Sequence, residues 1–263
     1  MIAGGKNSLI GISGKIGSGK DTVGNILQLI ASNGDLGVYK TDLDFVNGGD
    51  HIREKCSNYQ IKKFAGKLKE IAALLIGCDV SDFEDREFKE KELGEEWWYY
   101  CNSLFFNGET KIVSYSEAND AIRDNTSWYI VKLTPRKLLQ LLGTEAGRNV
   151  IHPNIWVNAL FADYNTLGFD YEGSVDKEIK GSWIYPNWII TDVRFSNEAQ
   201  AIKDRGGIVI RVNRLDVDKF TTNFPQTLHS SETALDNYNF DYVINNEGSI
   251  EELIEKIKQL KLV

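Results

Sequence analysis

The apolar run Leu9-Ile10-Gly11-Ile12 leads into Gly14-Lys-Ile-Gly-Ser-Gly-Lys20-Asp21-Thr22, and a helical pattern at Val23, Ile26, Leu27 and Ile30 follows at once. Strand, glycine-rich loop and helix in that order form the frame of a phosphate-binding loop, so the chain is expected to open with a β-α unit. Gly14, Gly17 and Gly19 let the backbone approach a ligand closely, and the amides along Lys15, Ile16 and Ser18 can then point at anionic oxygens. The helix N-terminus adds partial positive charge, and Lys20 supplies a mobile ammonium. Residues 14 to 22 are therefore expected to hold a nucleoside triphosphate. Asp21 stands where a Ser or Thr hydroxyl usually meets magnesium, and a hydroxyl arrives one residue later at Thr22, so both are candidate metal ligands. A plain glycine turn is the competing reading, but such a turn has no need of the flanking strand and helix.

With 263 residues and 42% hydrophobic content, the chain can bury one substantial core. The expectation is a single domain, 1–263, carrying a mainly helical insertion over about 65–186. A net charge of -8 argues against broad attraction to nucleic acid or anionic lipid, so an anionic substrate needs a local basic pocket. Cys56, Cys78 and Cys101 lie far apart with no C-x-x-C pair, which suggests neither a disulfide framework nor a zinc site. The first strand begins too early to leave room for a signal peptide, and no apolar run approaches the roughly 18 residues of a membrane span. A reducing cytoplasm is the expected location.

Helices are expected over Lys20 to Ser32, from Leu68 to a stop at Gly77, from a Thr134 cap through Pro135-Arg136 and the leucines that follow, and from Pro153 to Tyr164. Gly37 to Lys40 and Tyr59 to Phe64 are weaker strand candidates, with a turn at Asn47-Gly-Gly-Asp50 between them. The charge run from Asp82 to Glu96 reads as a solvated helix face, and Trp97-Trp98-Tyr99-Tyr100 as a packing patch. The polar stretch from Gly168 to Pro186 reads as a mobile surface loop. Beyond it the alternation is clean: strands at Trp188 to Thr191, Ile208 to Val212 and Asp241 to Ile244, helices at Asn197 to Arg205 and after the Ser249-Ile-Glu-Glu252 capping box. This is the rhythm of an α/β protein, a parallel sheet with helices on both faces.

In such a sheet active groups gather at the carboxyl ends of the strands, which puts Asp192 and Arg194 beside the glycine loop if their strand neighbours the first one. A carboxylate there can hold magnesium through water, and a guanidinium can grip a phosphate through two hydrogen bonds. A salt bridge capping the strand is the structural alternative. For Glu198, an acid in the first turn of a helix, the helix dipole alone is sufficient reason.

With these residues in place, the chain resembles the bacteriophage deoxynucleoside monophosphate kinases, a branch of the P-loop nucleotide kinases. The likeness rests on Ser13 to Thr22 with its Asp-Thr ending, on Pro135-Arg136 through Leu139-Gln-Leu-Leu-Gly-Thr-Glu145, on Arg148, on Asn154-Ile-Trp156, on Thr191-Asp-Val-Arg-Phe-Ser-Asn-Glu198 and on His229-Ser-Ser-Glu232. Phe64-Ala-Gly-Lys-Leu-Lys69 matches more loosely. The resemblance implies a P-loop NTPase fold with an inserted helical acceptor-binding and lid region, and transfer of the γ-phosphoryl of ATP to a deoxynucleoside monophosphate with Mg2+. Lys20 and the loop amides would stabilise the phosphates, with Lys20, Arg194 and Arg148 as the catalytic set. Asp21, Thr22 and Asp192 compete as magnesium ligands. Arg194, Arg136 and Arg148 would hold the acceptor phosphate. Lys69, Gln140, Gly143, Thr144, Trp156, Asp192 and Glu198 complete the acceptor side, although Trp156 is equally readable as a core residue. No general base is needed, because a phosphate monoester oxygen is already ionised at neutral pH.

His229 and Glu232 are three apart, with a helix cap at Ser230 or Ser231 as the structural origin of the pattern. Arg214 to Leu228 falls where related kinases carry a closing lid, and the Asn245 to Gly248 loop could reach the adenine. The resemblance implies ATP and a deoxynucleoside monophosphate as partners, a homodimer, no nucleic acid, no membrane and action in the cytoplasm. Two other readings remain: a P-loop kinase for another small acceptor of the dephospho-coenzyme A or sugar-acid type, and a nucleotide-gated switch protein.

Overall fold

The computed structural model describes residues 8–32, 41–47, 57–102, 111–172, 180–214 and 233–263. The expected strand at Gly37 to Lys40, most of the turn after Asn47, Cys56, the stretch 215–228, His229 and Glu232 lie outside these residues. The chain divides into two compact units, Met1–Gly66 with Val157–Val263, and Lys67–Trp156.

In the first unit β1 (Leu9–Ser13) runs into α1 (Lys20–Ala31), followed by α2 (Asp42–Asn47) and β2 (Tyr59–Lys62). Helix α3 (Ala65–Ile76) then leads out of this unit and stops at Gly77, whose φ of 70° only glycine adopts without strain.

The second unit continues with a 3₁₀ turn at Val80–Glu84, α4 (Arg86–Glu90) and a second 3₁₀ turn at Glu95–Trp97. Strands β3 (Tyr99–Asn102) and β4 (Lys111–Ser114), the single turn α5 (Asp120–Arg123) and β5 (Tyr129–Val131) follow. Beside the helices of this region, β4, β3 and β5 form an antiparallel sheet in that order. Aromatic and β-branched residues explain it, since Tyr100 stands opposite both Val113 and Ile130. Helix α6 (Pro135–Gln140) starts at Thr134, whose hydroxyl accepts the Lys137 amide at 3.2 Å. It passes directly into a π-helix, Leu141–Ile151, which α-helical spacing did not anticipate. Phe83, Ala72, Ala73, Leu133 and Leu138 form the core of this unit, with Trp97 and Tyr99 packed against it.

Helix α7 (Ile155–Phe161) returns the chain to the first unit. The stretch read as a surface loop is instead a hairpin, β6 (Gly168–Glu172) with β7 (Lys180–Ile184). Its stabilising pair is Phe169 opposite Trp183, rings edge to face at 5.0 Å. Then come β8 (Asn187–Val193), α8 (Ser196–Lys203), β9 (Ile208–Asn213), β10 (Tyr242–Asn245) and α9 (Ile250–Leu260).

Five strands make one sheet in the order β10-β9-β1-β8-β2, every pairing parallel. Alternation along the strands sorts the core into two layers. Ile10, Ile12, Ile189 and Ile210 face α1, α2 and α9 through Ile26, Leu27, Phe45 and Leu253, while Leu9, Trp188, Ile190 and Val209 face α7 and α8 through Leu160, Phe161 and Ile202. Both faces of the sheet are therefore covered, as a buried parallel sheet requires.

Candidate functional site

All five strands point the same way, so their carboxyl ends share one edge of the sheet. The loop after β1 lies there, between the ends of β8 and β9. Gly17 (φ 79°) and Gly19 (φ 94°) adopt left-handed conformations that a side chain would strain, which turns the loop amides out of the strand direction. Gly19 is the N-cap of α1 and brings no side chain to its first turn. Lys20 folds back over the loop, its Nζ donating to the carbonyls of Gly14 at 2.7 Å and Lys15 at 2.8 Å. The Ser18 hydroxyl is buried and finds no hydrogen-bond partner among the described residues, an orphan expected where a polar ligand completes the loop. Asn246, in the loop after β10, donates its Nδ2 to the Ser18 carbonyl at 2.9 Å, and a Cβ at Gly19 would collide with that amide. The structure thus places Asn246 on the backbone of the glycine loop.

Asp21 opens the second set of contacts. Its Oδ1 accepts the Thr191 hydroxyl at 2.7 Å and pairs with Lys63 at 3.1 Å. Burial by itself would raise the Asp21 pKa, but Lys63, the Thr191 hydrogen bond and Lys20 outweigh it and hold the carboxyl below its ordinary value. Lys63 and Thr191 were not among the residues picked from sequence. Thr191 precedes Asp192 at the end of β8 and Lys63 follows β2, so knowledge that β2 and β8 are neighbours would have found both.

β8 does neighbour β1, as the reading of Asp192 and Arg194 required. The two Asp192 oxygens accept the amides of Phe64 at 2.7 Å and Ala65 at 2.9 Å, tying β8 to the start of α3. A carboxylate has about four lone-pair positions, so these bonds leave room for a metal-bound water. Arg194 follows β8 and its amide donates to Glu198 Oε2 at 2.7 Å; Phe195 donates to the same oxygen at 3.0 Å. Glu198 is 2% exposed and serves the N-terminus of α8, in keeping with the helix-dipole reading rather than with a residue facing open space.

Among the described residues, no cluster of three or more His, Cys, Asp or Glu is placed to hold a metal. Magnesium does not need one, because it keeps several waters and takes one or two carboxylates alongside substrate phosphates. Asp21, Thr22 and Asp192 suit that mode.

The remaining candidates belong to the second unit. Lys69 Nζ meets Glu84 at 2.6 Å, and Arg136 Nε donates to Glu90. Gln140 ends α6, while Gly143, Thr144 and Arg148 lie on the π-helix, a geometry that recurs at functional sites. Arg148 Nη1 lies 3.5 Å from the Pro153 carbonyl. Trp156 is buried; its indole donates to the Gly143 carbonyl at 2.7 Å and lies over Gly147. It is a core residue of this unit, whichever face it offers a ligand.

A family model for deoxynucleotide monophosphate kinase matches residues 90–257. The chain belongs to the deoxynucleotide monophosphate kinase family. The match starts downstream of the glycine loop, so the loop stands on its own geometry. The chain is 26% identical over 233 residues to the deoxynucleoside-5'-monophosphate kinase of Escherichia phage T5, covering 82% of this chain and 76% of that protein. It is 31% identical over 146 residues to the deoxynucleotide monophosphate kinase of Enterobacteria phage T4, covering 56% of this chain and 51% of the other. For the enzyme of Escherichia phage RB69 the figures are 29% over 150 residues, 57% and 52%. Among the described residues, no helix is long and apolar enough to cross a membrane.

Proposed function

We propose that this kinase transfers the γ-phosphoryl group of ATP to a deoxynucleoside 5′-monophosphate, giving the diphosphate and ADP, on a P-loop NTPase fold. The observation that carries the donor half is the loop after β1: two glycines with positive φ, a helix N-terminus capped by glycine and Lys20 drawn over the Gly14 and Lys15 carbonyls. On ATP binding Lys20 exchanges those carbonyls for phosphate oxygens, and the loop amides supply the remaining donors. Mg2+, held by Asp21, Thr22 and Asp192 directly or through water, would neutralise the charge of the β- and γ-phosphates. Arg194, Arg136 and Arg148 take the acceptor phosphate and the charge on the transferred group, with Lys69, Gln140, Thr144 and Trp156 lining the acceptor side. The nucleophile is an acceptor phosphate oxygen, already ionised at neutral pH, so orientation replaces base catalysis. The segment of about 65–186 is the acceptor-binding insertion in this reading. A homodimer acting in the cytoplasm, that of the host for a phage-encoded enzyme, completes it.

The test is to supply ATP, magnesium and each deoxynucleoside monophosphate in turn and to follow the diphosphates. Product from at least one, with Lys20→Met slowing turnover about a hundredfold or more, is the expected result. Absence of any diphosphate would favour a switch protein, and efficient phosphorylation of an unphosphorylated alcohol would favour a kinase for another acceptor.

A further inference from the structure

Around Lys69 the second unit gathers three cations, two of which already pair with carboxylates. Glu84 pairs with Lys69 and Glu90 with Arg136, each carboxylate being the more exposed partner, at 63% and 60%. Lys89, on α4, is half-buried and makes no ion pair among the described residues. Its ammonium senses Lys69, Arg136 and Arg86 as like charges and Glu84 as the opposing one. Burial first, then Lys69 and Arg136, pushes the Lys89 pKa below the usual lysine range.

The position is fixed by packing. Asp85 caps α4 by accepting the Glu87 amide at 2.9 Å, and the rings of Phe83 and Phe88 meet edge to face at 5.9 Å across the turn before it. Phe83 is fully buried with Ala72 and Ala73 of α3 and Leu138 of α6, the helices that carry Lys69 and Arg136. Three cations from three helices thus converge on one fixed core. Without an anion the crowding is unfavourable; a phosphate carrying up to two negative charges reverses its sign. Glu84 and Glu90, largely in water, can leave their partners at little cost, since exposed ion pairs contribute about 0–1 kcal/mol.

We propose that Lys89 is an acceptor-binding residue, which with Lys69 and Arg136 makes a three-cation subsite for the 5′-phosphate of the monophosphate. This rests on the reading above that Lys69 and Arg136 face the acceptor. Lys89 lies just upstream of the matched residues 90–257 and comes from the charge run that sequence reading assigned to a solvated face.

Steady-state kinetics of Lys89→Ala and Lys89→Arg test the subsite. The alanine variant should raise KM for the monophosphate about tenfold and leave KM for ATP unchanged, while arginine stays within about threefold of the parent. Competitive inhibition by the matching deoxynucleoside, which lacks the phosphate, should be equal in parent and Lys89→Ala. An unchanged monophosphate KM, or equal weakening of the unphosphorylated deoxynucleoside, overturns the inference. If the parent chain phosphorylates no monophosphate, the proposed function falls instead. Calorimetric titration with inorganic phosphate then decides the subsite: weaker binding in Lys89→Ala supports it, and equal binding overturns it.

Discussion

Lys63 helps hold the Asp21 carboxyl in its charged form at the mouth of the glycine loop. Because Asp21 is held below its ordinary pKa of 3.8, its contribution is fully present above that pH and fades as pH falls through the lowered value. Replacing Lys63 with Met removes the strongest opposing charge, so the Asp21 carboxyl should titrate at higher pH, as NMR of the side-chain carboxyl would record. An unmoved titration would mean that Thr191 and Lys20 suffice. The loop itself was legible, since the meaning of Gly17, Gly19 and Lys20 is local: spacing alone fixes their conformation and reach. Lys63 and Thr191 were not. Each acquires its partner from an element far along the chain, 170 residues apart in the case of Thr191 and Asp21.

Among the elements, the π-helix is the one that sequence periodicity concealed. An apolar stripe tolerates either winding, and the distinguishing residues are Gly147 and the distant Trp156, whose indole claims the Gly143 carbonyl. Gly147→Ala would drive a methyl toward the Leu142 carbonyl and to 3.1 Å from the Trp156 ring, so it should cost about 1–3 kcal/mol in urea unfolding. The β6–β7 hairpin was missed for another reason: a polar, glycine-containing stretch has no helical period, and its one aromatic pair spans the turn. Strand β2 offers a pH test. Tyr59 is 4% exposed and its pKa is pushed up to about 12, by burial first and then by Tyr164. The unfolded chain ionises this phenol from about pH 10, so the stability it contributes is intact below that and lost by about pH 12. Tyr59→Phe should flatten the fall of the urea midpoint between pH 10 and 12, and what slope remains falls partly to Tyr164, whose pKa burial also raises.

At the scale of the whole molecule, the β-α rhythm predicted a parallel sheet, and strand order is what the rhythm could not supply. β1 pairs with β8 and β9, residues 188 to 211, and among the described residues β2 meets only β8. A fragment of residues 1–66 therefore holds two strands of this sheet, β1 and β2, that are not neighbours, and should show no cooperative unfolding transition by circular dichroism. A sharp transition in that fragment would contradict the strand order. Net charge, at -8, bears on neither point but sets the background against which any local cluster of cations must attract a phosphate.

The bond from Asn246 to Ser18 gives the newborn chain a timetable. A ribosome adding about 5–20 residues each second needs on the order of ten to fifty seconds to travel from the glycine loop to the asparagine that braces it. Stalled or prematurely terminated products consequently carry the motif without its brace, and should be unable to sequester ATP from the translating cell.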